Sequence, residues 1–308
     1  MNNKGKTSWD KAMAPHVTGS GVSQAGFQSR KGVKTQGRIS YAGRREKQFF
    51  RQMSTRLFYS AAQRAKKKGL DSPVEVQMMY AGGNIFIGSN RDHTAESIHK
   101  TLMYTGSTRR ALVEKAYFAS AKSTGGRITT RHAHKLASRM FDDKSQSKWV
   151  KSGGDAADKA SRTAMALMAR MVRDIEPSTL DPGSTKGVKE AFGSTGGVYI
   201  LHSGFRQEGK HVEEKFMDML AVAGHKGRTI IGGKMRPCLT CSGRMQHMKD
   251  QGHDVAFGQE PGKVWKGRYE AQPHDVRKVT ASLAASKFTY KSGAGWSYDA
   301  ESDSDSDS

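Results

Sequence analysis

Apolar residues recur at steps of three and four in the first strongly patterned segment of the chain, which runs from Arg44 to Lys68. The apolar positions are Phe49, Phe50, Met53, Leu57, Phe58 and Ala61. This period predicts an amphipathic helix that ends at Gly69. Further helices are predicted over residues 94–104, 108–120 and 130–141. Between the first two helices, residues 74–80 and 85–88 predict a β-hairpin that turns at Ala81-Gly-Gly-Asn84.

After Gly153-Gly154 the pattern alternates between helices and short apolar strands. Residues 156–175 predict an Ala- and Met-rich helix, in which the methionines are expected to fill the core. The predicted strands are 187–192, 198–202, 228–231, 254–257 and 263–265. Helices that begin near His211 and Cys238 separate the later strands. The predicted order is helix, strand, strand, helix, strand, helix, strand, strand, which is typical of an α/β fold.

Two short motifs stand at the starts of these two helices. The first is His211-Val-Glu213, and the second is Pro237-Cys238-Leu-Thr-Cys241, with a gap of 23 residues between them. Zn²⁺ prefers nitrogen and sulfur ligands in a tetrahedral arrangement, and catalytic sites leave one position to water. One imidazole and two thiolates satisfy that requirement. We therefore predict that His211, Cys238 and Cys241 bind zinc.

Glu213 lies two residues beyond His211, so on a helix its side chain points to a different side. Glu213 is therefore better placed to hold a proton beside the metal-activated water than to bind the metal itself. A structural zinc clip without chemistry, or a redox-active dithiol, would leave Glu213 without a role. We therefore predict that Glu213 is the catalytic residue.

Composition excludes several classes of protein. The chain of 308 residues has only two Cys, both in the second motif, which rules out an intrachain disulfide framework. The N-terminal residues have no apolar core typical of a secretory signal, and no apolar run approaches the 18 residues of a membrane span. We expect a protein that is cytoplasmic or that is delivered by a route independent of a signal peptide.

Charge indicates the partner. The formal net charge is +22 and the pI is about 10.0, which predicts a polyanionic partner, most often nucleic acid. A basic surface that serves only solubility is the alternative. Residues 1–40 contain seven Lys or Arg against one Asp and predict a flexible basic arm. Residues 299–308 predict a disordered acidic tail, and the aromatic residues of 286–298 suit either base stacking or a terminal strand.

The combination H-x-E and P-C-x-x-C resembles the signature of the cytidine deaminase superfamily, the zinc-dependent nucleobase deaminases. The short turn expected between its last two strands is similar to that of the bacterial toxin deaminases and the free-cytidine deaminases. In its short, basic, loop-rich style the domain is most similar to the bacterial polymorphic-toxin deaminases of nucleic acids. The resemblance implies a three-layer αβα domain with a five-stranded mixed sheet over residues 153–298. A mainly helical basic region over residues 41–150 would precede that domain. If the chain is a toxin, an immunity or inhibitor protein is a further expected partner, and no membrane is expected.

The resemblance also implies the chemistry. With zinc held by His211, Cys238 and Cys241, Glu213 would shuttle protons while water converts cytosine to uracil and releases ammonia. The base would lie in single-stranded DNA or RNA, or be flipped out of a duplex. Two competing hypotheses stay open: a non-enzymatic basic nucleic-acid-binding protein with a structural zinc, and a deaminase of free nucleosides, nucleotides or of adenine in nucleic acid.

Overall fold

The computed structural model describes residues 45–71, 73, 75–104, 106–123, 137–204, 210–234, 237, 241, 245, 248, 251–257, 288–291 and 295–298. Backbone alone is described for 45–47, 122–123, 256–257 and the last two ranges. The helices are α1 (Arg45–Lys67), α2 (Asp92–Leu102), α3 (Gly106–Ser123), α4 (Asp143–Lys151), α5 (Ala156–Met171), α6 (Thr185–Gly193) and α7 (Val212–Ala223). The strands are β1 (Val76–Ala81), β2 (Asn84–Ser89), β3 (Ser178–Leu180), β4 (Val198–Leu201), β5 (Thr229–Gly233), β6 (Val255–Phe257), β7 (Phe288–Lys291) and β8 (Gly295–Tyr298). Within these ranges, no helix is both long and apolar enough to cross a membrane.

The main sheet confirms the predicted α/β class and is mixed. Its strand order is β3-β4-β2-β1-β5-β6, so it has six strands where five were expected. Strand β1 is antiparallel to both of its neighbours, β2 and β5. The pairs β2-β4, β3-β4 and β5-β6 are parallel. Parallel pairs need crossover segments, and helix α6 lies in the one that joins β3 to β4.

The β1–β2 hairpin lies in the middle of this sheet, which corrects the predicted division at Gly153. The turn consists of Gly82 and Gly83, with φ angles of 58° and 78°, as a two-residue turn of type I′ requires. One strand of the hairpin pairs with β5 and the other with β4. Residues 41–150 are therefore not a separate region before the sheet, because two of their segments form its centre.

Side chains alternate between the two faces of the hairpin, and each face is covered by different helices. On one face Met78, Ile85 and Ile87 join the apolar residues of α1, α3 and α5 in one buried core. On the other face Phe86 stacks on Phe192 of α6, with ring centroids 5.0 Å apart, and α7 packs nearby. Helices on both faces of one sheet give the predicted three-layer αβα arrangement.

Residues 187–192 were predicted as a strand but belong to helix α6. Ser184 caps this helix, since its Oγ accepts a hydrogen bond of 3.1 Å from the Gly187 N–H. Val188 and Ala191 are buried three residues apart, which is the spacing of one helical face. A segment of nine residues shows too few repeats to distinguish that period from a strand.

Other predicted segments agree with the structure to within a few residues or lie outside the described range. The first helix, the hairpin and the strands at β4, β5 and β6 are confirmed. The structure adds β3 and α4, for which the sequence pattern gave no prediction. Residues 263–265, the arm over 1–40 and the tail over 299–308 lie outside the described residues.

Contacts divide the described residues into two units. The first contains the six-stranded sheet with its helices, from residue 45 to 234, and residues 253–257. The second contains the described residues between 237 and 252 and the antiparallel hairpin of β7 and β8, in which Phe288 is opposite Tyr298. The aromatic residues at the C-terminal end of the chain therefore lie on a hairpin.

Candidate metal centre at the start of helix α7

His211 is the residue that caps helix α7 at its N-terminus. Its backbone is extended, with φ −63° and ψ 145°, and its N–H donates a hydrogen bond of 3.2 Å to Glu214 Oε2. Val212 and Phe216, buried completely, fix the apolar face of the helix on the sheet. The fold therefore places the H-x-E motif at a helix start, as the sequence predicts.

Gly88 in β2 allows the first turn of α7 to lie directly on the sheet. A Cβ atom at Gly88 would be 2.5 Å from Cγ1 of Val212 and 3.3 Å from Cδ1 of Leu201. Real carbon atoms do not approach to 2.5 Å, so any larger residue here would move the helix start. Gly88 therefore determines how close Glu213 comes to the strands below it.

Glu213 is 1% exposed, and Gln77 of β1 orients its carboxylate. The Nε2 of Gln77 donates a hydrogen bond of 2.5 Å to Oε1 of Glu213. The same Nε2 donates to Oε2 of Glu75 over 3.2 Å. One amide group therefore joins two buried carboxylates.

Two glycines make room for the Gln77 side chain. Gln77 is opposite Gly88 on one neighbouring strand and opposite Gly233 on the other. A Cβ atom at Gly233 would be 2.7 Å from Cγ of Gln77. A fully buried glutamine flanked by glycine on both sides is held at one place on the sheet, beneath the start of α7.

Glu75 completes this arrangement at the edge of β1. Its Oε1 accepts a hydrogen bond of 2.9 Å from the Val212 N–H, so its carboxylate lies at the N-terminus of α7, where the helix dipole favours negative charge. The backbone of Glu75 is held by Asn90 and Ser89: its N–H donates to Asn90 Oδ1 over 3.3 Å, and its carbonyl accepts from Ser89 Oγ over 3.0 Å. Glu75 thus connects β1 to the residue that follows His211.

The electrostatic environment is acidic and buried. Glu75, Glu213 and Glu214 are at most 8% exposed. Lys215 is also buried, and its Nζ donates to the Ser89 carbonyl over 2.9 Å. Burying several carboxylates is costly unless cations, hydrogen bonds or a metal compensate the charge. A divalent cation at the start of α7 would offset that charge, so the surroundings fit a metal.

Cys241 is the residue of this group that could offer a sulfur atom to a metal. It is buried completely, and one possible ligand atom from each of His211, Glu213 and Cys241 lies within 4.8 Å of the others. No other group of three His, Cys, Asp or Glu with this proximity is found among the described residues. Imidazole nitrogen and thiolate sulfur are ligands that zinc prefers. Cys238, the fourth residue of the predicted site, lies outside the described residues.

Two further histidines, His93 and His99, lie apart from this centre. His93 Nε2 lies 2.6 Å from the backbone carbonyl oxygen of Asp71. His99 lines a cleft of about 320 Å³ together with Glu96 and His202.

Sequence reasoning did not identify Glu75 and Gln77 as site residues. The signal was present but weak, because two polar residues two apart in an otherwise apolar strand must project to the same face. A polar pair on a buried face needs partners. Those partners come from a helix that begins more than 130 positions further along the chain, and local sequence does not show that.

Comparison with protein-family models, with curated proteins and with solved structures gives no match to this chain.

Proposed function

We propose that the protein is a zinc-dependent hydrolytic deaminase that converts cytosine to uracil in single-stranded DNA or RNA. The observation that carries this proposal is the grouping of His211, Glu213 and Cys241, with ligand atoms within 4.8 Å. These residues come from an H-x-E and a P-C-x-x-C motif, the two halves of the nucleobase deaminase signature. A buried glutamate beside a histidine and a cysteine provides both metal donors and a proton carrier.

In this proposal His211, Cys238 and Cys241 hold the zinc ion. When bound, zinc lowers the pKa of a coordinated water so that hydroxide is accessible at neutral pH. The donor set fits the ion, because one imidazole and two thiolates leave one position for water. Glu213 is assigned to proton transfer and not to the ligand set, and the hydrogen bond from Gln77 holds its Oε1.

Glu213 moves the protons in the proposed reaction. It accepts a proton from the attacking water and delivers it to the ring nitrogen next to C4 of cytosine. It then carries a second proton to the departing amino group, so cytosine and water give uracil and ammonia. Gln77 and Glu75 act as positioning residues: they hold the Glu213 carboxylate and the first amide of α7 in fixed places.

The charge of the chain supports a polynucleotide substrate. A net charge of +22 raises the local concentration of polyanions, which a deaminase of uncharged nucleosides does not require. Within a duplex the faces of the cytosine ring are covered by the neighbouring bases, so water cannot attack C4. The base must therefore be unpaired or flipped before it reaches Glu213.

Sequencing of treated nucleic acids tests the proposal. Purified protein is incubated with single-stranded and duplex DNA and RNA, and the products are sequenced for C-to-U and A-to-I changes. We expect C-to-U changes in single strands, and none after removal of zinc. A-to-I changes alone would contradict the choice of base. Activity on free cytidine that exceeds activity on oligonucleotides would contradict the choice of substrate.

A second candidate is favoured by the charge alone: a basic nucleic-acid-binding protein in which zinc is structural. The buried Glu213–Gln77 bond has no purpose in that protein beyond folding. Ammonia release that depends on Glu213 separates the two candidates. A wild-type protein that binds zinc and nucleic acid but releases no ammonia from any base would support the structural role.

A further inference from the structure

The large hydrophobic side chains that remain exposed among the described residues lie on α1 and in the turns that follow α1 and α2. They are Tyr59 (57% exposed), Leu70 (43%), Met103 (42%) and Tyr104 (45%). The two helices are joined by the hydroxyls of Ser60 and Thr101, which are 2.9 Å apart. We call these four side chains, together with Arg64, Lys66 and Lys234, the Tyr59 surface.

Cations lie against the aromatic rings of this surface. Lys234 Nζ is 3.8 Å from the ring centroid of Phe58 and 5.0 Å from that of Tyr59. The Arg64 guanidinium is 4.9 Å from the ring centroid of Tyr104. Such cation–π contacts keep the cations close to the rings and at the surface. The rings of Tyr59 and Tyr104 nevertheless stay about half exposed, so further contacts can form on them.

The surface contains a cleft and lacks acidic side chains along α1. Tyr59, Lys66 and Leu70 line an open cleft of about 610 Å³. From Lys47 to Leu70 the chain has no Asp or Glu, while its cations include Arg51, Arg56, Arg64 and Lys66–Lys68. A cleft with apolar walls and cations near its border suits a ligand that is both flat and anionic. Single-stranded nucleic acid has this combination, since each base has a π face and each phosphate a charge.

Lys234 directly follows the end of β5, the strand that lies beside Gln77. Gly233, the last residue of β5, is opposite Gln77, which donates to Glu213. Lys234 follows at once, and side chains of successive extended residues point to opposite faces. Its side chain accordingly contacts Phe58 and Tyr59 of α1, on the other face from Glu213. A polynucleotide on the Tyr59 surface would thus lie beside the sheet end that carries Glu75 and Gln77.

We propose that the Tyr59 surface binds single-stranded nucleic acid, with bases stacked on Tyr59 and Tyr104 and phosphates against Arg64, Lys66 and Lys234. This proposal deepens the proposed function, on which it rests for its choice of a polynucleotide. Base stacking on aromatic side chains tolerates any sequence. The surface would therefore hold the flanking strand and leave the choice of base to the residues near Glu213.

Fluorescence anisotropy with labelled single strands of thymidine or uridine, 20 nucleotides long, tests this proposal. These strands contain no cytosine or adenine, so binding is measured without deamination. We expect Tyr59→Ala and Tyr104→Ala each to weaken binding on the order of tenfold, while Tyr59→Phe, which keeps the ring, stays within about twofold of wild type. Neither Ala variant should change affinity for a blunt duplex by as much, since duplex bases are already stacked.

A cation variant separates charge from stacking. Lys234→Ala should weaken binding and reduce the slope of log K against log salt by about 0.7, the value for one phosphate contact on a single strand. The matched control is Lys186→Ala on α6, which removes an exposed lysine from the other face of the sheet and should leave the slope unchanged. The melting temperature of each variant confirms that it is folded.

Two results would overturn the proposal. One is affinity for single strands that remains within twofold of wild type in both Ala variants, which would show that bases do not stack on these two rings. The other is equal weakening for single strands and duplex, which would reflect charge without stacking. Because the probes contain no substrate base, either result leaves the deamination assay unaffected. A failure of that assay likewise leaves this test valid.

Discussion

Replacing Gln77 with Leu should weaken both folding and catalysis, because one amide group donates to two buried carboxylates. The substitution keeps a side chain of similar size but removes the bond of 2.5 Å to Glu213 and the bond of 3.2 Å to Glu75. Hydrogen bonds to charged groups contribute about 1.5–3 kcal/mol each. Burial of the leucine offsets about 1–2 kcal/mol of this loss. We therefore expect the free energy of unfolding to fall by roughly 2–4 kcal/mol.

Urea unfolding followed by circular dichroism measures this change. Met79→Leu is the matched control, because Met79 is buried on the same strand and face but is replaced by a side chain of similar volume. That control should cost less than about 1.5 kcal/mol. If Gln77→Leu costs no more than Met79→Leu, the amide does not hold the two carboxylates.

A double-mutant cycle with Glu213→Gln then assigns the effect to the pair. Gln77→Leu should cost less when Glu213 is already neutral, with a coupling of about 0.5–3 kcal/mol. In the proposed enzyme, Gln77→Leu should also lower kcat on the order of 10–100-fold, because misplacing a proton carrier by about 1 Å has an effect of that size. KM should change little, since Gln77 is fully buried. Additive costs within about 0.5 kcal/mol would refute the proposed contact.

Three further predictions concern the helix start, a titrating histidine and the basic arm. Gly88→Ala should destabilise the protein by about 1–3 kcal/mol and lower its zinc content, because the added Cβ would lie 2.5 Å from Cγ1 of Val212. Calorimetry and metal analysis measure the two effects. The control is Gly193→Ala, whose added Cβ would meet no atom within 4 Å. Burial, with a smaller effect of His253, lowers the pKa of His225 below its ordinary value of 6.5, so the unfolded chain binds more protons there and stability should fall as pH drops below 6.5. His225→Gln should flatten that part of the curve of melting temperature against pH, and an unchanged curve would contradict the assignment. Deleting residues 1–40 removes six net positive charges (seven minus one). This deletion should weaken nucleic-acid binding and make the slope of log K against log salt shallower, while turnover at saturating substrate stays the same. An unchanged slope would show that the phosphate contacts lie in the rest of the chain.

The sequence was sufficient to predict those elements whose residue pattern is complete within a short segment of the chain. The hairpin was predicted because Gly82 and Gly83 separate two apolar runs, and glycine adopts positive φ angles without strain. The helix from Arg45 to Lys67 was predicted because its apolar period repeats over 23 residues. The helix that follows His211 was predicted from the helical spacing of its apolar residues, Phe216, Met219, Leu220 and Val222.

What could not be predicted depends on pairing between distant segments. Strand β1 pairs with β5, so that Gln77 is opposite Gly233 across more than 150 positions of sequence. Nothing in the local sequence of either strand indicates which strand it pairs with. The hairpin was therefore assigned to a separate region. The roles of Glu75 and Gln77 depend on the same pairing. The helix at residues 185–193 was missed for the different reason that it is too short for its period to be recognised.

The most direct test of the central claim compares wild type with Glu213→Gln in a single assay of metal content and ammonia release. Both proteins are purified without chelator, their zinc is quantified by mass spectrometry, and ammonia is measured during incubation with a single-stranded oligonucleotide that contains cytosine. We expect about one zinc ion per chain in both, and ammonia from the wild type alone, because Glu213 moves protons and does not hold the metal. Ammonia release by Glu213→Gln at a rate near that of wild type would contradict the proposed mechanism. Loss of zinc from the variant would instead make Glu213 a ligand and contradict its assigned role.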